Sequence, residues 1–315
     1  MIDEVKANIE KGSLEQTYFD DEIYFKIQNV QSLRPFFMSI VSDSNHWMFI
    51  SSNGGITAGR KNAEYALFPY YTDDKITFNN EFTGSKSIFQ VYRNSEKYVW
   101  EPFSIRHDIG YDFTRNLYKS KFGNKIIFEE INRKLNLIFR YKWCNSNQFG
   151  FVRHSEILNI SDDEVKIEVL DGIQDILPSG VPSDLQNNAS NLVNAYRRSE
   201  LDVKTGIGIF ALSAIIVDKA EPSEALSANI VWSFGLSHPK YLLSSRQLDA
   251  FRNWKLIVEE KDVKGEVGAY FINSSIILNA YESKKWSIVA DVHQDHNGIA
   301  LLQHLLSNNS HIPEE

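Results

Sequence analysis

Residues 135–170 read LNLIFRYKWCNSNQFGFVRHSEILNISDDEVKIEVL. Between 135 and 143, Leu135, Leu137, Phe139, Tyr141 and Trp143 alternate with Asn136, Ile138, Arg140 and Lys142. A period of two puts one set on each face of an extended strand. Two more runs come next, 150–160 and 165–170, with only short polar segments between them. Such connections have no room for a crossover helix, so neighbouring strands must run antiparallel.

The same reading extends outward. Residues 22–28, 36–41, 46–51, 87–93, 111–118 and 125–131 have strand character, as do 205–217, 225–235, 267–278 and 286–292 further on. Asn53-Gly54 suits a type I′ turn, in which both central residues need positive φ. Residues 207–217 are apolar at nearly every position, as expected of a central strand covered on both faces. One helix interrupts the pattern near 183–198. Ser183 and Gln186 are placed as a capping box, and Leu185, Ala189, Leu192, Val193 and Tyr196 share a face. About fifteen strands exceed what one open sheet tolerates, so two stacked sheets are the natural solution. Around Asp295 or Asn297 a second helix begins, with Ile299, Leu302, Leu305 and Leu306 on one side. The fold class expected is mainly all-β, a large two-sheet antiparallel sandwich with a packed helix near 183–198 and a C-terminal helix.

Composition narrows the function classes. Of 315 residues, 43% are hydrophobic and 23% charged, the balance of a chain with a sizeable core. The formal net charge of −8 disfavours nucleic-acid binding, which needs clustered Lys and Arg. No apolar run is long enough to cross a bilayer, so no membrane partner is expected. The start, MIDEVKANIEKGSLEQ, places Ile2, Val5 and Ile9 at helical spacing and lacks signal-peptide character. With a single cysteine, Cys144, no internal disulfide can form, and a cytoplasmic location is expected.

Four stretches carry a resemblance to a known family: FVRHSEILN (151–159), VLDGIQDILP (169–178), NAYRR (194–198) and WSIVADV (286–292). Together with the strand-rich architecture, they make the chain resemble the N-terminal β-supersandwich of cellobiose-phosphorylase-like enzymes, a domain of galactose-mutarotase-like fold. The resemblance implies a sandwich over 1–292 and the start of a helical linker over 293–315. In that family an (α/α)6 barrel comes after the sandwich and supplies the catalytic acid and most of the phosphate site; this sequence does not contain it. The resemblance therefore implies a carbohydrate-associated domain without a complete catalytic site of its own. Its expected partners are a carbohydrate and a helical catalytic domain on the same or a separate chain, with a homodimer a further possibility. No cofactor and no metal is expected.

Candidate site residues carry their chemistry from residue type and spacing. His154 and Glu156, at i and i+2 of a strand, share a face and are the acid–base types that mutarotases use, which would suit a free-standing aldose epimerase. A half-buried strand with one satisfied histidine and one rim glutamate is the plainer explanation of them. Asp171, Gln174 and Asp175 read as a polar loop at a strand end able to hydrogen-bond sugar hydroxyls, or as a plain turn. Arg197 and Arg198, at a helix end, suit an anion or a partner domain, or simply complement the helix dipole. The aromatic stretch 68–71, FPYY, offers a stacking platform or core. Glu129 and Glu130 are adjacent on a strand, so they point to opposite faces and cannot act as a pair. Asp291, His293, Asp295 and His296 look metal-like but fit a strand-to-helix junction with a capping Asp better. A third reading is an interaction domain that binds no ligand.

Overall fold

A computed structural model describes residues 13–71, 73–107, 110–214, 216 and 225–308. The apolar positions Ile2, Val5 and Ile9, Val217, and the polar end of the chain lie outside the described residues.

In chain order the elements are β1 (Leu14–Phe19), β2 (Glu22–Ile27), β3 (Phe37–Ile40), β4 (His46–Ser51), β5 (Ile56–Arg60), α1 (Asp73–Phe78), β6 (Gly84–Arg93), β7 (Glu96–Trp100), β8 (Phe113–Ser120) and β9 (Ile126–Asn132). Then come β10 (Leu137–Ser146), β11 (Gly150–Asn159), β12 (Val165–Ile176), α2 (Ser183–Asn188), α3 (Ser190–Tyr196), β13 (Arg197–Asp202), β14 (Ile207–Leu212) and β15 (Ala228–Phe234). The last are β16 (Lys240–Leu242), α4 (Leu248–Arg252), β17 (Asp262–Lys264), β18 (Gly268–Leu278), β19 (Ser283–Gln294) and α5 (His296–Asn308). An eleven-stranded sheet runs β1-β2-β8-β9-β10-β11-β19-β15-β14-β13-β17, a five-stranded sheet runs β16-β18-β12-β6-β7, and β3-β4-β5 form a third. Every named strand pairing among the described residues is antiparallel. The fold is an all-β sandwich.

The alternation in β10 explains the packing. Leu137, Phe139, Tyr141 and Trp143 are buried in the main core, while Arg140 and Lys142 point to the other face. The core is aromatic: Phe139 meets Phe89 of the five-stranded sheet edge-on at 4.9 Å and stacks on Trp286 at 6.2 Å. Each such ring contributes about 1.5–3 kcal/mol by burial. Met48, Ile50 and Ala58 of the small sheet enter the same core. The large sheet's outer face is covered where Ile299, Leu302 and Leu306 of α5 pack on Val152, Ile207, Trp232 and Val289.

Several expectations need correction. Gly54 adopts φ 94, but Asn53 is not in the positive-φ region, so the turn is not type I′. Asn53 instead ties the loop to α1, its Nδ2 donating to the Thr77 carbonyl at 2.8 Å. The helix near 183–198 is two helices, because Ala189 leaves helical geometry at φ −143, ψ 44. No capping box forms; Ser183 Oγ donates to Glu64 at 2.9 Å. The described residues of the run 207–217 form only β14, which lies third from the sheet edge rather than centrally. Both its faces are covered nonetheless, by α5 outside and by the core around Phe210 inside.

Candidate functional site

The polar stretch 171–175 is not a loop. All of it belongs to β12, the middle strand of the five-stranded sheet, which runs on past Leu170, the expected strand end, to Ile176. Asp171 faces the core and is fully buried. Its Oδ2 accepts from Arg153 Nη1 at 2.7 Å, Trp286 Nε1 at 2.6 Å and Ser155 Oγ at 3.1 Å, and its Oδ1 from Ser87 Oγ at 2.5 Å. Fully buried and holding four donors, Asp171 is a core counter-ion. Gln174 faces the opposite side, donating to the Glu81 carbonyl at 2.7 Å and accepting from Ser245 Oγ at 3.4 Å.

Asp175 is different. Pairing with β18 shifts register between Gln174 and Ile176, and the residue left over adopts φ 61. This bulge turns the half-buried carboxylate toward Thr83, whose Oγ1 donates to Asp175 Oδ2 at 2.8 Å. Arg197, buried at the start of β13, donates from Nη1 to the Ile176 carbonyl at 3.1 Å and from Nη2 to Gln186 at 3.5 Å. Its Nε is buried without a hydrogen bond. Burial pushes the Asp175 carboxyl above its ordinary range, opposed by the Arg197 cation and the Thr83 hydrogen bond. Burial likewise lowers the Arg197 guanidinium, opposed by Asp175, and with Asp175 it pushes the Tyr71 phenol up to about 12. Asp175, Arg197, Tyr71 and Thr83 are therefore one electrostatic cluster. Beside Tyr71 in sequence, Tyr70 is 43% exposed and meets Trp47 edge-on at 5.5 Å, whereas Phe68 is core. Carboxylate, guanidinium, phenol and an exposed ring are the groups that hydrogen-bond and stack on a sugar.

Arg198 is not part of this. Adjacent strand residues point to opposite faces, so Arg198 emerges to solvent and pairs with Asp262 at 3.1 Å and Glu200 at 2.8 Å. The two arginines cannot grip one anion together.

His154 and Glu156 do share a face, the outer one of the eleven-stranded sheet, but each has its own partners. His154 Nδ1 lies 2.8 Å from Ser287 Oγ, and burial, then Lys142, Lys125 and Lys285, push the imidazole down to about 4. Glu156 pairs with Arg140 at 3.4 Å and Lys285 at 3.7 Å. Strand register extends this row: Lys285, Glu156, Arg140, Glu129 and Asn116 stand side by side across five strands. Arg140 also pairs with Glu129 at 2.5 Å, so Glu156 sits in a ladder of alternating charge rather than beside a substrate cleft. Glu130, on the inner face, is held by Trp100, Phe103 and Arg115. At the strand-to-helix junction Asp295 caps α5 through Gly298 at 2.8 Å, and Asp291 pairs with Arg60 at 2.9 Å. Among the described residues no three His, Cys, Asp or Glu side chains gather as metal ligands, and no helix is long and apolar enough to cross a membrane.

Thr83 is not legible as a site residue in the sequence, since only the pairing of β6 with β12 brings it to Asp175, whereas Tyr71 belongs to the aromatic stretch 68–71. A second feature also leaves no local signal. An apolar groove of about 500 Å³ lies between β1, β2, β8 and β3, with Lys119 and Lys121 among its lining.

No family model matches the sequence, and no curated protein matches it. Solved structures do share its outline. A galactose mutarotase-like protein from Lactobacillus casei is 10% identical over 82% of this chain and 100% of its own, with a TM-score of 0.42. A polysaccharide lyase is 10% identical over 86% of this chain and 34% of its own (TM-score 0.46), and a bacterial glucoamylase complexed with acarbose is 8% identical over 94% and 38% (TM-score 0.41). The neighbours are galactose-mutarotase-like folds and carbohydrate-active proteins at low identity. The chain thus spans little more than a third of the lyase and of the glucoamylase, against the full length of the mutarotase-like protein.

Proposed function

We propose that the chain is a carbohydrate-associated sandwich domain that shapes a sugar site and the subunit contact for a helical catalytic domain, carried on the same or a separate chain. The reading includes the likeness to the phosphorylase N-terminal sandwich and a cytoplasmic setting, which the single cysteine supports. One observation carries it: the Asp175 bulge holds a carboxylate in an uncommon backbone conformation, electrostatically coupled to buried Arg197 and to Tyr71. Residues held at positive φ cluster at ligand sites, where the surrounding structure stabilises them. In this reading the carboxylate and phenol accept and donate to sugar hydroxyls, and Tyr70 offers its face to the ring. Catalysis falls to the partner, because His154 and Glu156 are each engaged elsewhere.

Titration calorimetry of the chain with galactose, cellobiose and maltose tests this. The expected result is saturable binding of at least one sugar with Kd on the order of 1 mM, about −4 kcal/mol, weakened severalfold by Tyr71→Phe and abolished by Asp175→Asn. Absence of binding to all three sugars would remove the sugar site. Robust anomer interconversion or phosphate-dependent cleavage by the isolated chain would overturn the accessory role.

A further inference from the structure

Among the described residues, the groove between β1, β2, β8 and β3 is an unpartnered apolar surface. Phe25, Phe36, Phe37 and Phe122 line it, and Phe37 and Phe122 keep 47% and 80% of their surface exposed. Lys119 and Lys121 stand among them. An open aromatic surface of this kind on a folded chain marks a docking site.

Chain connectivity points to its occupant. Leu14, the first residue of β1, itself lines the groove, and Ser13 is fixed beside β2 by the Gln28 N–H donating to its carbonyl at 2.9 Å. Residues 1–12, MIDEVKANIEKG, directly precede Ser13 in the chain. Ile2, Val5 and Ile9 recur at i, i+3 and i+7, one stripe of a helix, with Asp3, Glu4 and Glu10 off that stripe. Twelve residues as a helix reach about 18 Å, enough to cover an opening of this size from its attachment at Ser13. The acidic residues complement the groove's two lysines.

We propose that the groove is the docking site for the chain's own N-terminal segment, with Ile2, Val5 and Ile9 seated against the four phenylalanines.

Disulfide trapping in the full chain tests this. In a Cys144→Ser background, Val5→Cys with Phe37→Cys forms an intramolecular cross-link, whereas Val5→Cys with the exposed Val203→Cys does not. Hydrogen exchange on the unaltered chain gives an independent reading: amides 2–9 exchange about tenfold or more slower than in an unfolded chain, and Val5→Asp with Ile9→Asp removes that protection. An intermolecular cross-link would assign the groove to a second copy. Either that result, or equal cross-linking of the two pairs with unprotected amides, overturns the proposal.

Discussion

Arg153 Nη1 and Asp171 Oδ2 lie 2.7 Å apart, and neither side chain exposes any surface. The pair joins the two large sheets, Arg153 projecting from β11 and Asp171 from β12. Isolated buried charges are costly, so the surroundings decide whether the pair is tolerable. Here Ser85 Oγ accepts from Arg153 Nε at 2.9 Å, Ser87 Oγ from Nη2 at 3.1 Å, and the guanidinium lies 4.8 Å from the Tyr141 ring. Both ions are fully solvated by the protein itself.

Removing one partner should therefore harm more than removing both. Asp171→Ala leaves a buried, unpaired guanidinium and is expected to cost about 3–5 kcal/mol, while Arg153→Met with Asp171→Leu costs clearly less. Urea midpoints of the three proteins decide the matter; a double variant less stable than Asp171→Ala would refute it.

A second prediction concerns pH. His154 titrates at about 4 in the folded chain and near 6.5 once unfolded. Between those values the unfolded state binds the extra proton, so stability is intact above about pH 6.5 and falls as pH drops toward 4. His46, pushed down to about 4 by burial and then Arg60, acts in the same direction. Asp175 and Asp291, whose carboxyls are raised, act oppositely. Because several groups overlap, the test is a difference: His154→Gln should lose on the order of 2 kcal/mol less than the parent between pH 7 and 4.5. Identical pH slopes would exclude His154 as a source.

The sandwich is legible in the sequence because alternation in stretches such as 137–143 is a local property that survives in the fold. The site is legible only in part. Asp171 reads as a turn residue when nothing local offers it a partner; its partner, Arg153, comes from another strand and carries no signal beyond being a charge among apolar neighbours. Asp175 and Arg197 both stand out, yet as parts of a loop and a helix end, whereas a bulge and a strand start bring them together. Thr83 and Tyr71 depend on contacts across 92 and 104 residues, which periodicity cannot report.

Helix α5 supplies a test of face assignment. Leu302 packs on the large sheet, while its neighbour Leu301 is 71% exposed. Leu302→Asp is expected to cost about 1–3 kcal/mol and to red-shift the emission of Trp232, which lies beneath the helix. Leu301→Asp should stay within about 0.5 kcal/mol of the parent. Equal effects from both substitutions would mean that α5 does not rest on that face.

Asp175 allows backbone and side-chain roles to be separated. Its φ of 61 lies in the left-handed region, which Asn and Asp tolerate and β-branched residues do not. Asp175→Asn keeps that tolerance and can still accept from Thr83, so it removes the charge beside buried Arg197 while leaving the backbone requirement unchanged. Asp175→Val loses the same charge and adds about 1–2 kcal/mol of backbone strain. The difference between the two measured by urea denaturation is thus the strain together with the lost Thr83 hydrogen bond. If Val and Asn are equally tolerated, the bulge relaxes at little cost, and a conformation so easily abandoned could not hold a carboxylate in place for a ligand.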